Sequence, residues 1–465
     1  MKRFSALAFA ASFACVTAAA AADGDIDTTF GVNGIARANL INTSNTLNGG
    51  PVVQPDGKFV ICNGVTDNGP SGPDFYVARF TAGGELDPDF SFDGSVTIDF
   101  DGGVGGDQCS AVALQSDGKI VVAGFTVGAT PSTQDFAIAR LDADGTLDTT
   151  FGNGTGKTTV GFDLPGGGAD TATSVAIQAD GKIVVAGVAA SANGSQFAVV
   201  RLNTDGARDS AFNLTGRVTF GLGISGANPE QDTAYNVAID SANRILLGGS
   251  AAYNDGTNNI SDFAAARLMP NGQFDANFHA NGRTTVPFDP GNGISNVIGY
   301  GMLLQHDGKL LLIGGANSSP STPNTDSAVA RLLPDGSLDG GFGTGGRVLI
   351  PFDTEPNGQD LMIGGVEQSN GGLVFVGGAF ATSTNVTIAT AARLHADGTL
   401  DDTFGNAGRK TYDFGFGGVN DQQLFRNVAL QGTQLIATGI AYVPGGIDLY
   451  STRLDIDLIF ADGFD

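Results

Sequence analysis

Three markers recur through this chain at a common period, and its two ends are complementary fragments of one repeat. Together they predict an all-β fold: a seven-bladed β-propeller of four-stranded antiparallel blades, its ring closed by the N-terminal strand completing the last blade. The first marker is an Asp-Gly-Lys turn, as in "QSDGKIVVAG" (Gln115–Gly124), "QADGKIVVAG" (Gln178–Gly187) and "QHDGKLLLIG" (Gln305–Gly314). The second is an arginine that ends an apolar run: Arg79, Arg140, Arg201, Arg267, Arg331, Arg393 and Arg453. The third is the phenylalanine of "LDTTFG" and its copies: Phe30, Phe90, Phe151, Phe212, Phe278, Phe342 and Phe404. Successive arginines lie 61, 61, 66, 64, 62 and 60 residues apart.

The third unit shows how one repeat reads as four strands. "TSVAIQ" (Thr173–Gln178) is a short apolar strand, and Asp180-Gly181 is a strong two-residue hairpin signal, since glycine reaches positive φ without steric cost. "KIVVAGV" (Lys182–Val188) returns as an unbroken apolar run, the mark of a strand buried on both faces. "FAVVRL" (Phe197–Leu202) is the third strand, and "GRVTFGL" (Gly216–Leu222) follows a turn as the fourth. The turns of a parallel β-helix, the nearest alternative, are far shorter than this period.

The ends favour a ring over an open stack. Asp25–Leu40 is a turn and a fourth strand with no partners before it, and Val428–Leu454 is three strands with no fourth. Joining them leaves no unpaired seam, whereas a linear solenoid would need a cap at each end.

Outside the repeats, Lys2, Arg3, the apolar run Phe4–Val16 and Ala20-Ala21-Ala22 read as an export signal over residues 1–22. The propeller is expected over 23–457 as a single domain, with 458–465 a tail. The mature chain is therefore expected outside the cytoplasm, secreted or periplasmic. Its apolar runs are too short to cross a bilayer, so membrane insertion is not expected. Without Lys2 and Arg3, 21 basic residues face 48 acidic ones. That balance repels phosphate backbones and argues against nucleic acid. The chain is expected to be monomeric. An oxidising compartment permits a bridge between Cys62 and Cys109, but sequence cannot give their distance, and both states stay open.

The ordered motifs "QxDGKIVVAG", "FAxARL" and "GxLDxxFGxxG" resemble the bacterial delta-60 repeat proteins over about residues 25–454. The resemblance implies a β-propeller in exported or surface proteins and implies no activity. The fourth unit departs from it, with "DSANRILLGG" in place of the Asp-Gly turn, and the last two units lose the lysine. The tail "LIFADGFD" also looks like the endings of some secreted bacterial proteins.

The repeated residues read as scaffold, because a feature present in every blade holds blades together while a site is usually asymmetric. Each arginine shares a strand face with apolar residues and needs a partner. Asp148 is the nearest for Arg140, and Asp87, Asp209, Asp275, Asp339 and Asp401 match it elsewhere. The "TTFG" phenylalanines read as core plugs. His279, His306 and His395 share no metal-ligand spacing, and no Ser/His/Asp arrangement stands out. No catalytic residue is assigned and no cofactor is expected, with Ca²⁺ the one exception that the acidic, Gly-rich links suit. Candidate ligands are the aspartates of Phe-Asp pairs, Asp101, Asp163, Asp289 and Asp353, with Asp107, Asp170, Glu355 and Asp360 nearby.

Loops at one end of the strands repeat, and those at the other end vary, which points to recognition on the variable face. Candidate binding residues are Tyr253, Asn254, Asp255, Asn317, Asn324 and Asp326. The leading expectation is an exported, non-enzymatic scaffold that binds a protein or glycan through these loops. The alternatives are a polysaccharide hydrolase or lyase with a carboxylate site near the axis, and a passive envelope component.

Overall fold

The computed structural model describes residues 23–456 except 39–48, 66–71, 101, 103–104, 129–133, 224–229, 255–257, 290–294, 318–323, 353–357, 382–385, 417–421 and 444–445. The expected signal (1–22) and tail (458–465) lie outside the described residues, as do Asp101, Asp255, Asp353 and Glu355.

The chain has an all-β, propeller-like fold built from four-stranded antiparallel sheets. In the third unit the strands are Asp170–Ile177, Ile183–Ser191, Gly194–Leu202 and Arg217–Phe220, paired in that order. The first strand starts three residues before the alternation predicts. A bulge between Ala172 and Ser174 leaves Thr173 unpaired and breaks the period of two that marks a strand in sequence. The second strand runs longer than its apolar core, because Ser191 and Gly194 close a tight hairpin.

Alternate residues of the second strand enter different cores. Ile183 and Val185 pack with Val121 and Phe136 of the preceding unit, while Val184 and Ala186 pack with Ile245 and Leu247 of the following one. This explains the unbroken apolar run: both faces of the strand are interior. The first strands of consecutive units touch one another, and that of the first unit touches that of the last. Cys62 and Cys109 are disulfide-bonded with Cα atoms 5.8 Å apart, which ties the second strand of the first unit to the first strand of the second. A bridge closing a loop of this length contributes about 2–4 kcal/mol.

One joint recurs between units. The Nε of Arg79, Arg140, Arg201, Arg267, Arg331 and Arg393 donates to the aspartate eight residues on, at 2.6–2.9 Å. Each guanidinium lies over the plug phenylalanine of its own unit, 4.3–5.2 Å from the ring centre. Five of these arginines also reach forward, donating Nη1 to a carbonyl in the next unit's turn: those of Ala143, Thr204, Pro270, Pro334 and Ala396. That turn packs on the plug. A Cβ on Gly206 would lie 2.8 Å from Phe151 at a φ of +86°, so the turn needs glycine for both conformation and space.

The same joint links the chain's two ends. Strand Ile35–Arg37 pairs antiparallel with Gly446–Asp455, Ile35 opposite Thr452. Arg453 donates to Asp27 at 2.9 Å from Nε and to the Ala82 carbonyl of the first unit, and it lies 5.1 Å over Phe30. Gly24 packs on Phe404 as Gly206 does on Phe151, and Arg393 meets Asp23 at 2.5 Å.

The glutamines of "QxDGK" also stitch units together, a role the sequence reading did not assign. Gln115, Gln178 and Gln431 donate to the carbonyls of Gly181, Asn243 and Gly57, each in the next unit's first hairpin. The signal was their recurrence before the turn in every unit but the fourth, where Asp240 takes the place, but turn chemistry alone accounted for the Asp-Gly that follows most of them.

Burial raises the pKa of the joint aspartates, but hydrogen bonds from neighbouring side chains and backbone overcome it. Asp27 is held at about 2, and Asp87, Asp148, Asp209, Asp275 and Asp401 are also held below the usual carboxylate range. Groups depressed in the fold stabilise it above their unfolded pKa, and that contribution is lost as pH falls through the folded values. Asp135, Asp170 and Asp262 are raised, chiefly by burial, so the strain they impose at neutral pH relaxes on mild acidification. Thermal melts from pH 7 to 2 should therefore show a maximum below neutrality and a steep fall below about pH 4. A melting temperature flat between pH 4 and pH 2 would contradict the joint as a source of stability.

Candidate functional site on the face of the variable loops

The two ends of the strands differ in a way the pairing registers make explicit. At one end six first hairpins close alike, and that of the last unit is tighter, with Gln431 opposite Gln434. Gln54, Gln115, Gln178, Asp240, Gln305 and Gln368 each donate a backbone N–H to the carbonyl four residues on, at 2.7–3.0 Å. At the other end the second hairpin changes from unit to unit. Its last paired residues are Val65 and Asp74, Val127 and Gln134, Ser191 and Gly194, Asn254 and Asn259, Asn317 and Thr325, Ala381 and Val386, and Val443 and Gly446. The connections between those ends thus range from two residues to eight.

Tyr253 and Asn254 close the fourth unit's long hairpin, opposite Ile260 and Asn259. Asn317 lies opposite Thr325, whose hydroxyl donates to the Asn317 side chain at 3.5 Å. Asn324 donates to Asp326 at 3.3 Å. Asp326 is buried at the start of its strand, so it braces the loop and is not displayed on it.

Carboxylates gather on this same face, in the links between units. Asp74, Asp99 and Asp107 place one oxygen each within 4.8 Å of the others. The trio joins the third strand of one unit, the link, and the first strand of the next. It offers three of the six to eight oxygens Ca²⁺ takes. In the next link Asp135 and Asp170 match Asp74 and Asp107, Gly161 stands in place of Asp99, and Asp163 matches Asp101; burial raises the pKa of Asp135 and Asp170, the charge of Asp163 raises both further, and that of Asp135 adds to the rise at Asp170. Asp163 is itself largely exposed, 3.7 Å from Arg217. Asp289 is exposed in a different link. Asp163 and Asp289 therefore do not share a site. The aspartate at the start of the next first strand, rather than that of the Phe-Asp pair, is the one that orders these links. Asp107, Asp170, Asp232 and Asp360 accept the backbone N–H of Phe100, Phe162, Leu222 and Phe352 at 2.6–2.7 Å.

The first strands supply a further set. Each carries one bulge, and the unpaired residues are Ser110, Thr173, Tyr235, Tyr300, Ile363 and Arg426 in successive units from the second. Tyr235 and Tyr300 meet with ring centres 5.5 Å apart. No sequence signal marked these residues, because a bulge is a property of pairing and its position is variable in chemistry.

Comparison with known proteins bears on the scaffold. No curated protein is detectably similar to the chain. Among solved structures, a protein of unknown function from Dyadobacter fermentans is similar at 12% identity and a TM-score of 0.47, covering 91% of this chain and 100% of that one. The polysaccharide lyase Uly1 is similar at 11% identity and 0.48, covering 90% and 93%. The β-propeller domain of the Trilobed protease from Pyrococcus furiosus is similar at 8% identity and 0.42, covering 91% and 99%. The domain of unknown function DUF5122, a beta-propeller, matches residues 54–90, 115–151, 178–212, 243–278, 305–342 and 368–404. Each match begins at the first hairpin and ends at the plug phenylalanine. With six copies of that repeat, the chain belongs to the DUF5122 beta-propeller family, the delta-60 repeat proteins.

Proposed function

We propose that the chain is an exported, non-enzymatic scaffold: a seven-bladed ring, closed by Ile35–Arg37, that binds a glycan or protein partner on the face of its variable hairpins. The observation that carries this reading is the contrast between the two faces. One set of hairpins closes alike in six of the seven units, while the other spans two to eight residues. Drift alone would not spare one face, whereas recognition on a rigid frame uses such asymmetry.

The test is a glycan array and a pull-down with residues 23–465, alongside Tyr253→Ala/Asn254→Ala and Asn317→Ala/Asn324→Ala. Binding should drop at least about tenfold in one of the loop variants with an unchanged melting temperature. Undiminished binding in both, or binding lost only on altering the Asp-Gly hairpins of the opposite face, would overturn the reading.

A further inference from the structure

Arg426 is unlike every other arginine discussed above. The joint arginines are each paired with an aspartate, and Arg37, Arg217 and Arg244 also have carboxylate partners. Arg426 has no ion pair and no side-chain hydrogen bond among the described residues, although it is half-buried. A guanidinium stays charged whatever its surroundings, so this charge is held partly out of water with nothing to balance it.

Its position explains what it faces. Arg426 is the bulge residue of the last unit and Tyr300 that of the fifth, and the first strands of the fifth, sixth and last units touch in turn, a Cβ on Gly301 meeting the Ile363 carbonyl and one on Gly364 approaching the Arg426 carbonyl; Tyr300 also acts electrostatically on Arg426. Residues of first strands two units apart act on one another in this way when both project toward the space those strands surround. Tyr235 joins Tyr300 there. Tyr442, at the end of the last unit's second strand, also acts on Arg426 and places the group toward the variable face. Burial lowers the arginine's pKa and raises that of Tyr235. Ser110, the bulge residue of the second unit, is buried, and its hydroxyl has no hydrogen-bond partner among the described residues.

We propose that this axial recess binds a carbohydrate bearing an oxyanion, a uronic acid or a sulfated sugar, with Arg426 clasping the anion and Tyr235 and Tyr300 lying against the ring. Guanidinium geometry matches a carboxylate or sulfate through two parallel hydrogen bonds. Aromatic faces and a free hydroxyl suit a body that is apolar on one side and hydroxylated on its edges. The chain's net charge of −25 narrows the class further. A densely charged polyanion is repelled as it approaches, whereas a sugar with one anion per ring meets the single cation at the axis. This inference rests on the binding-scaffold reading and on the closed ring, and it shifts the principal contact from loop tips to the axis.

Calorimetric titration of residues 23–465 with trigalacturonate, a sulfated trisaccharide and neutral maltotriose tests it. At least one acidic sugar should bind at least about tenfold more tightly than maltotriose, and Arg426→Gln should erase that preference while Arg426→Lys keeps part of it. Tyr300→Leu should weaken binding of the same sugar, and it serves as the second variant if Arg426→Gln melts early. No heat with either acidic sugar, or equal affinity in wild type and Arg426→Gln, would overturn the proposal. If an acidic sugar binds but only the Tyr253 and Asn317 loop variants lose it, the axial site fails while the binding-scaffold reading stands.

Discussion

Replacing Arg331 with methionine is expected to destabilise the fold by about 3–5 kcal/mol, the cost of leaving one member of a buried ion pair uncompensated. Arg331 is the one cation paired with Asp339 among the described residues, at 2.8 Å, because Lys309 of the same unit turns to Asp307. It also lies 4.3 Å over Phe342 and donates to the Ala396 carbonyl of the next unit, so one substitution opens a joint between two units. Arg140→Met should cost less. Lys119 stays 3.0 Å from Asp148 and continues to balance its charge. Arg331→Met/Asp339→Asn should recover most of the loss, since the amide oxygen can still accept the Gly341 N–H that Asp339 holds at 3.0 Å. Denaturant melts of the three variants measure this. A loss below about 1 kcal/mol for Arg331→Met would show that the repeated arginine is not what holds the units together.

Deleting residues 23–38 is expected to have a larger effect. The last sheet loses its fourth strand, and Gly446–Asp455 becomes an unprotected edge. Arg453 loses Asp27 and the fully buried Phe30 at once, and Phe404 loses the turn that covers it. An uncompensated buried charge and the lost burial of one phenylalanine together amount to several kcal/mol. The shortened chain should melt lower by roughly 10 °C or more, or fail to fold cooperatively. A synthetic peptide of residues 23–38 added in trans should restore part of the loss. An unchanged melting temperature would overturn closure by the N-terminal strand.

Much of this architecture is legible in the sequence because repetition converts weak local signals into a strong one. A single Asp-Gly turn or a single "FAIAR" strand is ambiguous. Recurring at a shared period, each fixes the phase of the others. The pairing of Arg140 with Asp148 could be read in the same way, since both lie at fixed offsets within the unit. The role of Gln178 was visible as a recurrence but not as a contact, because its partner, the Asn243 carbonyl, lies in the next unit.

The candidate site was far less legible. Asp163 and Asp289 mark the links, but which carboxylates converge depends on how three chain segments meet. Asp74, Asp99 and Asp107 come from a strand start, a link and the next strand start. Their grouping leaves no fixed spacing to find. Arg426 and Tyr300 are further apart still, 126 positions along the chain, and share only a place in a bulge.

By itself the sequence determined the period, the strand order within a unit, the buried second strand and the complementary ends. All of these follow from local turn chemistry and from the periodicity of apolar residues, which a linear pattern can carry. Tertiary structure alone decided that Cys62 meets Cys109, that Asp326 is buried, that glutamines stitch one hairpin to the next, and that Tyr235 meets Tyr300. Those facts depend on distances between units, and such distances are set by the packing of whole sheets against one another rather than by any short stretch of chain.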